Sequence, residues 1–335
     1  MLKLKLFKKK KKNRVNKRIS ALEICLEAEK RATWDGIEDF EQQKKQFDRT
    51  SPLLRRNIHR LEKGLCMPER RSVFGAEFIL ETVTLFIRLM QQPGASVFEL
   101  KWARDVLDRY FDVVEPTAGA IAEARALWDS ASDAPYQPAC ETNTPFAPYK
   151  VRELEQFSDF QSFFSLCKAR RSQRWFLSVP VPREKIEAAV MAALQAPSAC
   201  NRQPFTFHCA VTPEMIGKIT DLPLGTKGFG DQLPAVIAVV GDLSMYAEPR
   251  DRHLIYVDSA LAAMQFMLAV TAQGLGSVPI NWPDIPENHR ALRALLGLRD
   301  HQVPIMLIGV GVPDPDSSVP YSAKRPVDEV LHVVE

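Results

Sequence analysis

The chain has 335 residues, 46% hydrophobic and 25% charged, which is long enough for two domains of ordinary size. No apolar run approaches the roughly 20 residues of a membrane-spanning helix. Six scattered cysteines, with no CxxC pair and no zinc-ligand spacing, argue against a disulfide scaffold or a metal site and suit a reducing compartment.

The net charge of +3 conceals an asymmetry, because residues 1–18 hold ten Lys or Arg and no acid, leaving the rest acidic. Residues 1–18 are expected to form a disordered basic tail. It suits either a tether to an anionic surface or a solvated, solubilising end. Its apolar stretch is too short for a secretory signal. The expected location is the cytoplasm, with the tail or the segment after it offering a peripheral membrane or protein contact. No nucleic-acid partner is expected.

From 19 to 131, apolar residues recur every three or four positions, and Pro52, Gly64, Pro68, Pro93, Gly94 and Pro116 punctuate five predicted helices. This is an all-α domain. Residues 132–157 contain four prolines with little periodicity and read as a linker. Residues 158–335 then alternate helices with strands. "FTFHCAV" alternates as a strand, and "PAVIAVVGD" is the continuous apolar run of a strand buried on both faces. "DRHLIYVDSALAAMQFMLAVTAQ" is apolar on nearly every side and predicts a buried central helix. "GSVPIN" and "VPIMLIGVGV" complete the strands. The fold class is α+β, a three-layer α/β/α domain.

Four segments of this domain carry candidate chemistry. In "ARRSQRWF", Arg170, Arg171, Ser172 and Arg174 form either a solvated helix end or a forked cradle for phosphate. "APSACNRQP" (196–204) brackets small polar residues between prolines. "GLGSVPINW" turns a helix into a strand, and "YSAKRP" holds the pair Lys324 and Arg325. No nucleotide-loop, hydrolase or zinc-protease motif occurs, and no carboxylate pair stands out for acid–base work. A redox cofactor that carries its own reactivity would account for that.

Taken in order, "RRSQRWF", "APSACNRQP", "VDSALAAMQFMLA", "GLGSVPINW" and "SAKRPVDEVL" resemble the nitroreductase family of FMN-dependent oxidoreductases over residues 160–335. The resemblance implies a mostly antiparallel central sheet and a homodimer with shared FMN sites. It also implies ping-pong hydride transfer from NAD(P)H through flavin N5 to a small acceptor such as a nitro compound, quinone or enone. Arg170, Arg171 and Ser172 are implied at the ribityl phosphate, Arg174 at the pyrimidine edge, and Lys324 and Arg325 closing on the phosphate. The same resemblance has the partner subunit deliver Pro197, Ser198, Ala199, Asn201 and Gln203 to the ring. It implies that backbone around Pro279, Ile280 and Asn281 faces N5 and O4. Lys227 falls near a position that contacts the pyrimidine, and Trp282 would narrow the open face of the ring. No residue is assigned a catalytic role, because flavin N5 carries the chemistry. Cys200 reads as a packing residue and Tyr246 as a surface residue. With few residues where larger members carry a helical lid, the N-terminal extension is expected either to cover the pocket or to leave it shallow.

"HRLEKGL" (59–65) resembles an N-terminal extension of some bacterial members associated with polysaccharide genes. Two other readings stay open: a specialised flavin enzyme with a narrow substrate, and a non-catalytic flavin-binding adaptor in a surface-polysaccharide pathway.

Overall fold

The computed structural model describes residues 2–44, 49–116, 118–132, 144–153, 155 and 159–334, with backbone alone for 2–17. Most of the expected linker, 133–143 with 154 and 156–157, lies outside the described residues, as does residue 158.

The N-terminal half is helical: α1 (Leu2–Gln43), α2 (Pro52–Leu65), α3 (Ile79–Met90), α4 (Val97–Val113) and α5 (Ala120–Ser132). Ser51 caps α2, its hydroxyl accepting from Leu54 N–H, and Pro52 suits the first turn, where no amide donor is needed. Ser96 caps α4 in the same way through Glu99 N–H. Leu54, Ile58, Leu61 and Leu65 form the apolar stripe of α2 and join Val83, Phe86, Leu107 and Tyr110 in one core.

The second half contains α6 (Phe160–Ala169), α7 (Arg183–Ala193), β1 (Phe205–Ala210), α8 (Pro213–Thr220), β2 (Ala235–Asp242), α9 (Leu254–Ala272), β3 (Gly276–Asn281), α10 (Pro286–Leu296) and β4 (Gln302–Gly311). The strands form one sheet in the order β1-β2-β4-β3, and each adjacent pair is antiparallel. Alternate side chains of β2 serve opposite faces. Ile237 and Val239 pack with α7 and α9, whereas Val236 and Ala238 pack with α8 and α10. Cover on both faces is why β2 reads as an unbroken apolar run. The α+β, three-layer architecture expected from the sequence is the one observed.

Three expectations need correction. First, the basic stretch is not an irregular tail over residues 2–18: α1 runs through it from Leu2. Leu, Lys and Arg are good helix formers, and no Gly or Pro interrupts them before Gly36. Second, the helical half is not separate from the sheet domain. Ala32 of α1 shares a core with Leu243, Met245, Tyr246, Ile255 and Val303. A Cβ on Gly36 would sit 2.7 Å from Leu243 Cβ and 2.9 Å from its carbonyl carbon, so glycine permits this close approach. The segment between β2 and α9 is therefore covered by α1. Third, α9 is not buried all round. Ile255, Ala262, Phe266 and Val270 face the sheet, but Val257, Leu261 and Met264 are exposed. By length and mean hydropathy alone, Pro249–Ala272 could cross a membrane, although its inner face packs on the sheet around a buried Asp258.

Candidate functional site

The arginine-rich segment after α6 lies against the open edge of β3. Ser172 bridges to Ser277, and Gln173 N–H donates to the Ser277 carbonyl at 3.0 Å. A Cβ on Gly276 would fall 1.7 Å from Gln173 Oε1, so glycine lets the two segments meet. Arg171 Nη1 donates to the Arg170 carbonyl at 3.1 Å, and Arg174 Nη1 donates to the Ser172 carbonyl at 3.4 Å. Among the described residues, no carboxylate pairs with Arg170, Arg171 or Arg174. Beside them, the buried Ser277 Oγ and Gln173 Oε1 have no hydrogen-bond partner among the described residues. Three unneutralised guanidinium groups next to two orphaned polar atoms fit an anionic, hydrogen-bonding ligand.

The register of β3 narrows its candidates. Ser277 points its backbone groups toward residue 173, so Pro279 and Asn281 also point to the open edge, whereas Val278 and Ile280 turn toward β4. Pro279 has no N–H, as an edge strand tolerates. Of the three predicted residues, Asn281 alone can offer a backbone donor there. The Ile280 side chain is in the core. Arg174 lies 5.8 Å from the Phe229 ring, which ties the cradle to the 226–230 loop that carries the exposed Lys227.

"APSACNRQP" occupies the opposite corner of the sheet. Ser277 lies across β4 from the Ala235 end of β2, whereas the Pro204 carbonyl accepts from Asp242 N–H at the other end. Seven residues of strand, roughly 23 Å, separate those ends. One chain therefore does not bring Pro197–Gln203 to Arg170–Arg174. Lys324 and Arg325 also stay apart, on an exposed C-terminal segment where Arg325 bonds to Glu329 at 3.1 Å.

The loop is tightly held. Cys200, Asn201 and Gln203 have φ values of 55°, 50° and 50°, a region costly for residues with a side chain. Arg55 of α2 donates to the Asn201 carbonyl from Nε at 3.0 Å and Nη2 at 2.8 Å, while its Nη1 pairs with Glu99 at 3.0 Å. Glu99 is 1% exposed and also accepts from Ser51 N–H and the Thr50 hydroxyl. On the other side, buried Asp258 accepts from Ala199 N–H at 3.0 Å and from the Tyr246 hydroxyl at 2.8 Å. Tyr246 is thus a buried residue; burial and its bond to Asp258 push its pKa well up. Arg202 lies beneath the loop, 6% exposed, with its guanidinium 4.8 Å from the Tyr246 ring. Trp282 is likewise buried, packed in the α8–α10 core 6.2 Å from His289, and does not narrow an open site.

The clamp residues Arg55, Glu99, Arg202 and Tyr246 were not identifiable from spacing. Asp258 left a trace, as the lone acid inside an apolar helix.

The profile of the nitroreductase family matches residues 167–224 and 210–312. An Archaeoglobus fulgidus protein named "Putative NADH dehydrogenase/NAD(P)H nitroreductase" is 33% identical over 147 residues, covering 43% of this chain and 81% of that protein. The chain belongs to the nitroreductase family. Its membership makes it an oxidoreductase of the flavoprotein kind. Mouse iodotyrosine deiodinase 1 is 28% identical to this nitroreductase-family chain over 216 residues, covering 57% of it and 75% of the deiodinase. An FMN-dependent nitroreductase structure from Clostridium difficile aligns at TM-score 0.45 and 21% identity, covering 51% of this chain and 99% of that one.

Proposed function

We propose that the protein is a homodimeric FMN-dependent oxidoreductase that draws on NADH or NADPH and reduces a small acceptor such as a nitro compound, quinone or enone. The observation that carries this reading is the cradle, where unpaired Arg170, Arg171 and Arg174 adjoin the orphaned Ser277 Oγ and Gln173 Oε1. Arg170, Arg171 and Ser172 would hold the phosphate, Arg174 the electron-rich edge of the ring, and Asn281 N–H its polar rim. Bound FMN supplies hydride chemistry at N5. The chain supplies cations that favour added charge beside them and asks no acid or base of its own.

Several features support the dimer. The two halves of the site lie at opposite corners of one chain. The exposed stripe Val257, Leu261 and Met264 leaves an apolar helix face open. Residues 318–334 are exposed throughout and include Val327, Val330, Leu331 and Val333. Beside the free edge of β1 runs a groove of about 1060 Å³ lined by Val190, Phe207 and Val211. An extended apolar segment from a second copy matches such an edge.

The test is anaerobic oxidation of NADH and NADPH by 1,4-benzoquinone. Turnover with either donor is expected; flavin-loaded protein inert toward both would refute the general oxidoreductase. A narrow-substrate reading is favoured by the match to iodotyrosine deiodinases, which in the pig protein extends over 278 residues and 74% of this chain. Iodide release from 3-iodotyrosine by the dithionite-reduced protein would select it. In the third reading, a polysaccharide-pathway adaptor, α2 would be the partner surface. Against this, α2 is already engaged with residues 199–201 of its own chain. We place the protein in the cytoplasm, with the basic start of α1 suited to an anionic membrane surface.

A further inference from the structure

Three arginines converge on the strained loop, and the oxidoreductase reading leaves them without a role. Arg56 and Arg60 stand four residues apart on α2, which packs against residues 199–201. Arg202 approaches from below the loop, with its buried Nε unpaired. Arg60 lies 3.6 Å from the Phe78 ring, and its nearest carboxylate is the exposed Glu77 at 3.9 Å. Among the described residues, Arg56 makes no ion pair or hydrogen bond. The acids in range are engaged elsewhere or held off. Glu81 accepts from Asn57 at 2.9 Å, and Asp251 forms no close pair with Arg202. Burial lowers the Arg202 pKa, and Arg56 lowers it further while Cys200, Tyr246 and Asp251 oppose the shift. Burial and Arg56 likewise lower that of Arg60, against Glu77, Cys200 and Glu81. Arg56 therefore repels both Arg60 and Arg202, and Cys200 lies within range of those two. Like charges within range of one another, with no carboxylate paired closely to Arg56 or Arg202 among the described residues, favour an added anion.

We propose that Arg56 and Arg60 on α2, beside the loop and with the charge of buried Arg202 beneath it, recognise an acidic substrate, an electron acceptor carrying a carboxylate or phosphate group. This rests on the preceding functional reading, in which the 197–203 loop faces the partner's flavin. The helical half then contributes specificity: α2 sets the strained loop through Arg55 and presents two guanidinium forks beside it.

The experiment compares 1,4-naphthoquinone-2-sulfonate with neutral 1,4-naphthoquinone, in the full-length protein and in Arg56→Gln/Arg60→Gln. The double substitution is expected to raise KM for the sulfonate about tenfold more than KM for the neutral quinone, the effect of roughly one charge-assisted contact. The sulfonate should also raise the melting temperature of the natural protein and fail to do so in the variant. Competition by benzoate identifies a carboxylate substrate and competition by phenyl phosphate a phosphate one; competition by neither overturns the inference. An unchanged KM ratio overturns it as well. If neither quinone is turned over, the functional reading fails on its own. The melting shift then still decides the anion site, and an equal shift in both proteins rejects it. Should the double variant not fold, Arg56→Gln alone carries the same test, because Arg56 has no ion-pair or hydrogen-bond partner to lose among the described residues.

Discussion

Arg55→Met tests whether the helical half braces the functional loop. The substitution keeps most of the side-chain volume and removes both bonds to the Asn201 carbonyl and the pair with Glu99. Breaking a buried ion pair costs about 3–5 kcal/mol, because the remaining charge is left without its partner. Glu99 retains Ser51 N–H and the Thr50 hydroxyl, and Arg55 is 13% exposed, so the low end of about 3 kcal/mol applies. The loss is read as a fall in the urea midpoint. Hydrogen exchange should show the amides of Asn201 and Gln203, bonded to the Ser198 carbonyl and hydroxyl, losing protection. Adding Glu99→Gln removes the stranded charge and should recover at least about 1.5 kcal/mol, a coupling that a double-mutant cycle resolves. A loss below about 1 kcal/mol, or strictly additive single and double variants, would refute the brace.

Gly36→Ala should destabilise, although alanine in mid-helix ordinarily gains about 1 kcal/mol, because its Cβ meets Leu243 at 2.7 Å; a higher melting temperature would show that α1 does not press on that turn. Arg174→Ala should weaken flavin retention and shift the flavin's potential negative; a potential equal to that of the natural protein would remove Arg174 from the ring edge. Burial lowers the pKa values of His208 and His289 below the ordinary histidine value, so the unfolded chain takes protons first as pH falls. Stability should thus be full above the ordinary histidine value and decline as pH drops through it, with His289→Gln flattening the slope; unfolding titrations at stepped pH measure this. Tyr246→Phe leaves buried Asp258 with Ala199 N–H and should cost about 1–3 kcal/mol, while a neutral effect in unfolding would show that Asp258 has another donor.

Periodicity carried the layers well. β2 and β4 were legible because burial on both faces demands continuous apolar runs, and α2 because its stripe repeats every three to four residues. It failed where contacts are long-range. Asp258 and Tyr246 are twelve residues apart and bonded, Arg55 reaches a carbonyl 146 residues away, and neither spacing leaves a mark in composition. α9 misled for a related reason: an apolar helix reads the same whether its outer face meets its own core or is left open, as Val257, Leu261 and Met264 are here. The cradle was legible as a motif, but its complement, the orphaned Ser277 hydroxyl and the outward amide of Asn281, needed strand register.

The visible absorbance spectrum of the purified chain, before and after incubation with FMN, decides whether the arginine cradle holds a flavin. Flavin bands at close to one FMN per chain are expected, with their loss in Arg170→Ala. A colourless protein that takes up no FMN would contradict a flavin site there.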